Sequence, residues 1–246
     1  MAVTRLIMGM PITVEIGGTA DDPLVASVFD YFDRVDRRFS TYKPDSEVEA
    51  LNRGDIDAAD LSEEMREVLD LARLTRAETG GYFDINRGDG TIDPSGIVKG
   101  WAIRNAARMV SEAGHADFFI DAGGDIQSAG VNASGKPWRV GIRNPFDEKQ
   151  IVKVLVPRGR GVATSGSYVR GHHIYDPHDR GSTLTDIVSL TVVGSDVLEA
   201  DRFATAAFAM GRRGIHFIEQ RPGLEGYAID SDGTATMTSG FGAFCP

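Results

Sequence analysis

The sequence has only one cysteine, Cys245, so an internal disulfide framework and a cysteine-based metal cluster are both excluded. It has no apolar run that approaches the roughly 20 residues of a transmembrane helix. Its first ten residues, MAVTRLIMGM, lack the long apolar core and the cleavage site of a signal peptide. These absences together favour a protein of the reducing cytoplasm that does not insert into a membrane.

An excess of positive charge is also missing, since the formal net charge is −10. An acidic protein is poorly suited to bind nucleic acid or an anionic membrane surface as its main partner. Small anions stay compatible with this charge, because a bound cation can supply a local positive field.

Several common site signatures are absent from the chain as well. No GxGxxG follows an early strand pattern, and no GxxxxGK[ST] occurs, so dinucleotide binding of the Rossmann type and a P-loop are both unsupported. No Ser-His-Asp arrangement and no cysteine nucleophile stand out.

What remains is the composition of a folded protein of 246 residues, 41% hydrophobic and 25% charged. We find no internal repeat, low-complexity tract or linker, and we predict one domain over residues 1–246. Helix and strand patterns do not alternate regularly, and the late strands come in runs with hairpin-like spacing. This order favours an α+β fold with a largely antiparallel sheet and several packed helices.

The periodicity of apolar residues predicts the main elements. A helix begins at Asp22-Pro23 and carries apolar residues up to Phe39, and three more are predicted over residues 62–79, 97–113 and 198–210. Strands are predicted at residues 4–8, 12–16, 118–121, 125–128, 138–142, 151–156, 187–193, 227–229 and 235–238. Residues 40–46 and the polar stretch 163–181 are predicted to be loops.

The last predicted helix carries a candidate metal site. Asp201 and Thr205 are four residues apart, so they share one face of the helix, and the alanines around them permit close packing. A carboxylate and a hydroxyl are ligand types that Mg²⁺ prefers. The alternative is a solvated aspartate beside a threonine bonded back to its own helix.

A second candidate is the turn DPSGIVKGW, from Asp93, which leads into the helix with Lys99 in an early turn. Helix N-termini offer free N–H groups to phosphate, and a lysine adds a point charge. The alternative is a capped helix with an exposed lysine.

Three loops add weaker signals. The segment from Ala163 holds Thr164, Ser165 and Gly166, and His172-His173 follows shortly after it; one histidine could bind a ligand or act as acid or base. Gly123-Gly124 could form a ligand-facing turn or only a hairpin. Tyr42 could stack on a planar ring or plug the end of the first helix.

Together these segments resemble the ApbE family, the FAD:protein FMN transferases, and the resemblance runs from about Met8 to Met210. It rests on STYKPDSEVEALN, TGGYFD, DPSGIVKGWA, DAGGDI, ATSGSYVRGHHIYDP and EADRFATAAFAMG, which occur in the order of the family. The resemblance implies a single α+β unit. It also implies a Mg²⁺-dependent enzyme that splits FAD, attaches FMN to a serine or threonine of an acceptor flavoprotein and releases AMP. Some members mainly hydrolyse FAD to FMN and AMP.

The resemblance also implies roles for individual residues. Asp201, Thr205 and the backbone carbonyl of Val98 would bind Mg²⁺, with Val98 standing where the family usually has alanine. Asp201 and His173 would be catalytic, with His173 a candidate for the proton acceptor. FAD would be contacted by Met10, Tyr42, Asp93, Lys99, Asp125, Thr164, Ser165, Gly166 and His173.

One departure from the family pattern follows Tyr82-Phe83-Asp84. The family usually continues with Pro-Thr and a longer stretch, whereas here Ile85-Asn86 follows and the helix begins soon after. The sequence therefore predicts a shortened covering loop. This loop motivates one alternative, a catalytically silent FAD-binding module; a FAD pyrophosphatase is the other.

Overall fold

The computed structural model describes residues 2–17, 22–166, 175–179 and 184–246. Within them, the α+β prediction is confirmed. The strands are β1 Ala2–Ile7, β2 Met10–Ile16, β3 Phe118–Ala122, β4 Asp125–Ala129, β5 Val140–Asn144, β6 Asp147–Leu155, β7 Gly161–Gly166, β8 Ile187–Gly194, β9 Glu225–Asp230 and β10 Ala235–Met237. The helices are α1 Asp22–Phe39, α2 Glu47–Arg53, α3 Glu63–Glu78, α4 Ser95–Glu112, α5 Val197–Ala209 and α6 Gly214–Glu219, with 3₁₀ turns at Gly211–Arg213 and Phe241–Phe244.

Eight strands form one sheet in the order β1-β2-β3-β4-β7-β8-β9-β10, and β5 and β6 form a separate two-stranded sheet. Every pairing between these strands is antiparallel. Strand β2 shows why the sequence folds this way: Met10, Ile12, Val14 and Ile16 are buried and alternate with more exposed residues. Alternation with period two is the pattern of a strand with one face on the core.

Helices α1 and α4 share a core with β2 and β3, and α5 and α6 share one with β7, β8 and β9. The core beneath α1 and α4 centres on Phe29, Phe32 and Trp101, all buried. Trp101 packs edge-on against Phe39, with ring centroids 5.6 Å apart. A further core cluster joins β5 and β6 to β4, β7, β8 and β9.

Three segments differ from the sequence prediction. Helix α2 was not predicted, because it has only seven residues and one buried residue, Val48; its signals are the cap at Ser46 and the left-handed Gly54. Helix α6 was missed for the same reason of length. The start of the polar stretch at residue 163 is wrong as a loop, since Ala163 to Gly166 belong to β7 and pair with β8.

In the described part of the chain, no helix combines the length and the apolar character that crossing a bilayer demands.

Candidate functional site

Helix α5 carries Asp201 into the interior of the protein. The helix begins after Asp196, whose side chain accepts a hydrogen bond from the backbone N–H of Glu199 at 3.0 Å. Its alanines are buried and let α5 lie close to its neighbours: Ala200, Ala204, Ala206 and Ala207. Asp201 is only 3% exposed, so the alternative of a solvated surface carboxylate is wrong.

The contact between α4 and α5 is closest at Gly100. Its backbone N–H donates to Asp201 Oδ2 at 2.8 Å. A Cβ at this position would lie 2.8 Å from Asp201 Cβ and 3.0 Å from Leu198 Cα. The glycine is therefore required by the approach of the two helices, and that approach fixes the Asp201 carboxylate.

Lys99, the residue before Gly100, faces two carboxylates. Its Nζ lies 2.6 Å from Asp125 Oδ2 and 3.7 Å from Asp201 Oδ1. The side chains of Asp125 and Asp201 are 1% and 4% exposed, and that of Lys99 is 18% exposed. The alternative of a freely exposed lysine is therefore wrong. We call Lys99, Asp125 and Asp201 the ionic triad.

The β3–β4 hairpin supplies Asp125 to the triad. Its turn is Gly123-Gly124 with φ of 62° and 97°, the positive values that a type I′ turn requires. Asp121 Oδ1 accepts the N–H of Gly124 at 2.8 Å. Both glycines are exposed, so the turn is a hairpin that also leaves its backbone open to a ligand.

Asp125 connects this hairpin to β7. Its Oδ1 accepts the backbone N–H of Thr164 at 3.0 Å, and Thr164 Oγ1 lies 2.8 Å from Thr191 Oγ1. Met10 also approaches the hairpin, because a Cβ on Gly123 would lie 2.9 Å from Met10 Sδ. The predicted residues Met10, Asp125 and Thr164 therefore surround one turn.

The pKa of Asp201 is shifted by its buried position beside Lys99 and Asp125. Burial raises the pKa of Asp201 to about 7; Lys99 opposes this shift, and the negative charge of Asp125 adds to it. Burial also raises the pKa of Asp121, against the N–H of Gly124. At its pKa of about 7 the Asp201 carboxyl is about half protonated near neutrality, and a bound cation would displace that proton.

Thr205 lies one helical turn after Asp201 on the same face of α5. A Cβ on Gly96, in the first turn of α4, would lie 3.5 Å from Thr205 Cγ2 and 3.3 Å from Phe83. Thr205 therefore faces the start of α4, the same turn that carries Val98. Val98 is buried and lies on α4 between Gly96, which faces Thr205, and Gly100, which contacts Asp201.

The donor set fits Mg²⁺ better than zinc. Among the described residues, no group of three or more His, Cys, Asp or Glu could hold a metal ion. The available donors are the Asp201 carboxylate, the Thr205 hydroxyl and a backbone carbonyl. Mg²⁺ is commonly bound by one or two carboxylates together with waters and substrate phosphates, so this sparse oxygen set suits it.

Asp93 lies just before the first residue of α4. Its Oδ1 accepts the N–H of Ser95 at 3.0 Å and its Oδ2 pairs with Arg87 at 2.8 Å. Although burial opposes the shift, these hydrogen bonds lower the pKa of Asp93. Asp93 is thus an ionised group whose hydrogen bond to Ser95 holds the first residue of α4.

The remaining predicted site residues differ in how far they are exposed, and one of them lies outside the described residues. Tyr42 is 95% exposed, so it does not pack against the end of α1. Ser165 and Gly166 are buried in β7. His173 and its neighbour His172 lie outside the described residues.

The sequence is matched by the family model described as "ApbE family" over residues 8–90 and 86–228. The chain belongs to the ApbE family. The recognition drawn from the motifs is therefore confirmed.

Curated relatives of the ApbE chain carry the name "FAD:protein FMN transferase". One, from Salmonella typhimurium, is 33% identical over 156 residues, which cover 60% of this chain and 45% of the relative. Another, from Escherichia coli strain K12, is 31% identical over 166 residues, which cover 64% of this chain and 47% of the relative. The chain spans about half the length of the curated relatives it matches.

Solved structures share the fold of this ApbE chain. A flavin transferase ApbE from Vibrio cholerae matches with a TM-score of 0.86 at 22% identity, covering 99% of this chain and 98% of that one. The ApbE protein from Thermotoga maritima matches with a TM-score of 0.88 at 21% identity, covering 100% and 99%. At these identities the likeness establishes the fold.

The segment between α3 and α4 of this ApbE chain is held by a residue to which sequence reasoning gave no role. Asn52, on α2, donates from Nδ2 to Ile92 O at 3.0 Å and accepts from Ile92 N at 2.8 Å. The side-chain amide of Asn52 thus binds both backbone groups of Ile92, as a neighbouring strand would, next to the isolated bridge between Asn86 and Ile92. Asn52 ends the segment STYKPDSEVEALN, but no residue near it in the sequence indicates that its partner lies 40 residues away.

The two stretches matched by the family model meet at residues 86–90, in this same segment. That is the place where the sequence suggests a shortened covering loop. The division of the match accords with a local difference from the family, and the effect of that difference on the pocket stays a prediction.

Proposed function

We propose that the chain is a Mg²⁺-dependent FAD:protein FMN transferase. It cleaves the FAD pyrophosphate, attaches FMN through a phosphoester bond to a serine or threonine of an acceptor flavoprotein, and releases AMP. The observation that carries the proposal is the ionic triad buried between α4, α5 and the β3–β4 hairpin, in a chain of the ApbE family. The names of the curated relatives support it.

Three residues would hold the metal ion: Asp201 through its carboxylate, Thr205 through its hydroxyl and Val98 through its backbone carbonyl. When bound, Mg²⁺ supplies positive charge to the pyrophosphate oxygens on which negative charge builds during cleavage. The hydrogen bond from Gly100 orients the carboxylate by occupying Oδ2, which leaves Oδ1 directed toward Lys99.

The chain's other residues would bind and orient FAD. Lys99 provides a point charge for a phosphate oxygen, and the exposed backbone of Gly123 and Gly124 permits close approach of the ligand. The exposed ring of Tyr42 would stack on a planar ring of FAD. Met10, Asp93, Thr164, Ser165 and Gly166 complete the proposed contacts.

In the transfer, the acceptor hydroxyl oxygen forms a bond to the FMN-side phosphorus while the bond from that phosphorus to the bridging oxygen breaks. The bridging oxygen leaves with AMP. The hydroxyl proton needs an acceptor, and His173 is the proposed base because the ordinary pKa of histidine lies near neutrality. Asp201 would act by binding the metal ion whose positive charge faces the reacting phosphates.

The test is transfer of flavin to protein. The enzyme is incubated with FAD, Mg²⁺ and a lysate of the source cells, and proteins are separated under denaturing conditions. We expect fluorescent, protein-bound flavin that depends on the enzyme and on Mg²⁺, with AMP released in equal amount. Absence of any labelled protein contradicts the transferase proposal.

Two alternatives are distinguished by the same assay. A FAD pyrophosphatase releases FMN and AMP at a useful rate without an acceptor. A silent FAD-binding module, which the short segment before α4 motivates, retains FAD without releasing AMP in either condition.

Metal binding should depend on pH through Asp201. Because its pKa in the folded chain is raised to about 7, the cation must displace a proton below that pH. We expect affinity for Mg²⁺ to rise with pH until about pH 7 and then to level off. Calorimetry in buffers of different ionisation enthalpy should show proton release at about pH 6 and little at about pH 8. An affinity that is constant across this range contradicts the assignment.

A further inference from the structure

We infer that Asp125 is a positioning residue that holds the Lys99 ammonium away from the cation-binding oxygen of Asp201. The inference rests on the proposed metal site. Asp125 is expected from the resemblance to contact FAD, and the inference gives it a role that acts through Lys99.

The distances in the triad carry this inference. Lys99 Nζ is 2.6 Å from Asp125 Oδ2, a full ion-pair contact, but 3.7 Å from Asp201 Oδ1. Asp201 Oδ2 already accepts the N–H of Gly100. Oδ1 is thus the oxygen that can accept a cation, and Lys99 is the competing cation nearest to it among the described contacts.

The position of Lys99 makes this competition unavoidable. Lys99 precedes Gly100 on α4, and Gly100 is in direct contact with Asp201. Opposite charges attract strongly at this separation when burial excludes water. Without a second carboxylate, the ammonium would move onto Asp201 Oδ1 and block the metal.

Asp125 is itself fixed firmly enough to hold the lysine. It follows a tight glycine turn, its side chain is 1% exposed, and its Oδ1 accepts the N–H of Thr164 at 3.0 Å. One oxygen therefore anchors the carboxylate to β7 while the other binds the ammonium. The anchored carboxylate therefore keeps the Lys99 ammonium beside Asp125 and away from Asp201 Oδ1.

The test uses Mn²⁺ as a paramagnetic probe for an oxygen-ligand site, titrated into wild type, Asp125→Asn, Lys99→Met and the double variant. In Asp125→Asn, the new amide keeps an oxygen for the N–H of Thr164 but presents an NH₂ group to Lys99. We expect Asp125→Asn to weaken Mn²⁺ binding on the order of tenfold in the wild-type background. In the Lys99→Met background the same substitution should have a much smaller effect, because no ammonium remains to move.

Asp121→Asn is the matched control, since it removes a carboxylate from the same hairpin and keeps an oxygen for the N–H of Gly124. It should weaken binding less than Asp125→Asn does. Equal factors for Asp125→Asn in the two backgrounds overturn the inference, because they mean that Asp125 acts on the metal only through its own charge. Failure of the wild type to bind Mn²⁺ overturns the metal site itself, and the inference with it.

A second measurement covers the case in which Asp125→Asn does not fold. The ¹⁵Nζ signal of Lys99 in the wild type is assigned by its absence from Lys99→Met. We expect the NMR correlation between this ¹⁵Nζ and the Asp125 carboxyl carbon, which passes through their hydrogen bond, to persist when Mg²⁺ is added, because Asp125 retains the ammonium. Loss of that correlation on Mg²⁺ binding shows that Lys99 leaves Asp125, and overturns the inference.

Discussion

Asp201→Asn should reduce FAD cleavage by about 10³-fold while leaving the folded chain as stable as the wild type or more so. The carboxylate is the only charged ligand in the proposed metal set, and its loss removes the cation from the reacting phosphates. An asparagine oxygen can still accept the hydrogen bond from Gly100, so the contact between α4 and α5 is retained. Activity is measured as AMP release from FAD.

The stability of this variant has a definite pH dependence. The pKa of Asp201 is raised from 3.8 in the unfolded chain to about 7 in the fold, so between these values the native state binds the additional proton. Wild-type stability therefore falls as pH rises through this window, and the asparagine variant escapes that loss. The advantage of the variant in melting temperature should grow from about pH 4 to about pH 7 and stay constant above.

Asp196→Asn is the matched control on the same helix. Asparagine caps a helix about as well as aspartate, so both activity and stability should stay close to wild type. An Asp201→Asn variant that cleaves FAD at the wild-type rate would show that the proposed metal site is not used.

Gly100→Ala should both destabilise the chain and weaken metal binding. The added methyl group would lie 2.8 Å from Asp201 Cβ and 3.0 Å from the backbone of Leu198, which cannot move without α5. Forcing α4 and α5 apart should cost about 1–3 kcal/mol, partly offset by a gain in helix propensity of up to about 1 kcal/mol. Unfolding in urea and Mn²⁺ titration measure the two effects.

Alanine substitutions at two other glycines serve as controls for this prediction. Gly96→Ala, on the same helix, meets its nearest atom, in the Phe83 ring, at 3.3 Å, so its effect should be smaller. Gly242→Ala meets no atom within 4 Å and should be neutral. If Gly100→Ala were as stable as Gly242→Ala, the close approach of α4 and α5 would be refuted.

The long elements of the fold could be predicted from the sequence because their signals are local. The cap at Ser62 and the stripe of Met65 and Val68 define α3 without reference to the rest of the chain. Helix α2 and strand β7 were not predicted. Helix α2 is too short for a periodic pattern, and the polar residues of β7 give no local strand signal because their partners in β4 and β8 lie far away along the chain. The prediction of one domain over residues 1–246 stays a prediction.

The sequence identified the individual residues of the site, but it did not predict how they contact one another. Asp201, Lys99 and Asp125 were all singled out, yet no spacing along the chain indicates that Lys99 pairs with Asp125 or that Gly100 binds Asp201. Those contacts join residues up to 101 positions apart, and they exist only because α4, α5 and a hairpin meet. The assignment of ligands to Asp93, Tyr42 and His173 stays with the resemblance to the family.

Crystals grown with FAD and Mn²⁺ would show directly where a cation and the FAD pyrophosphate bind. We predict an anomalous peak within about 2.0–2.3 Å of Asp201 Oδ1 and the Thr205 hydroxyl, with a phosphate oxygen as a further ligand and Lys99 still paired with Asp125. A peak at another place on the chain, or a pyrophosphate bound away from α4 and α5, would show that the proposed site is wrong.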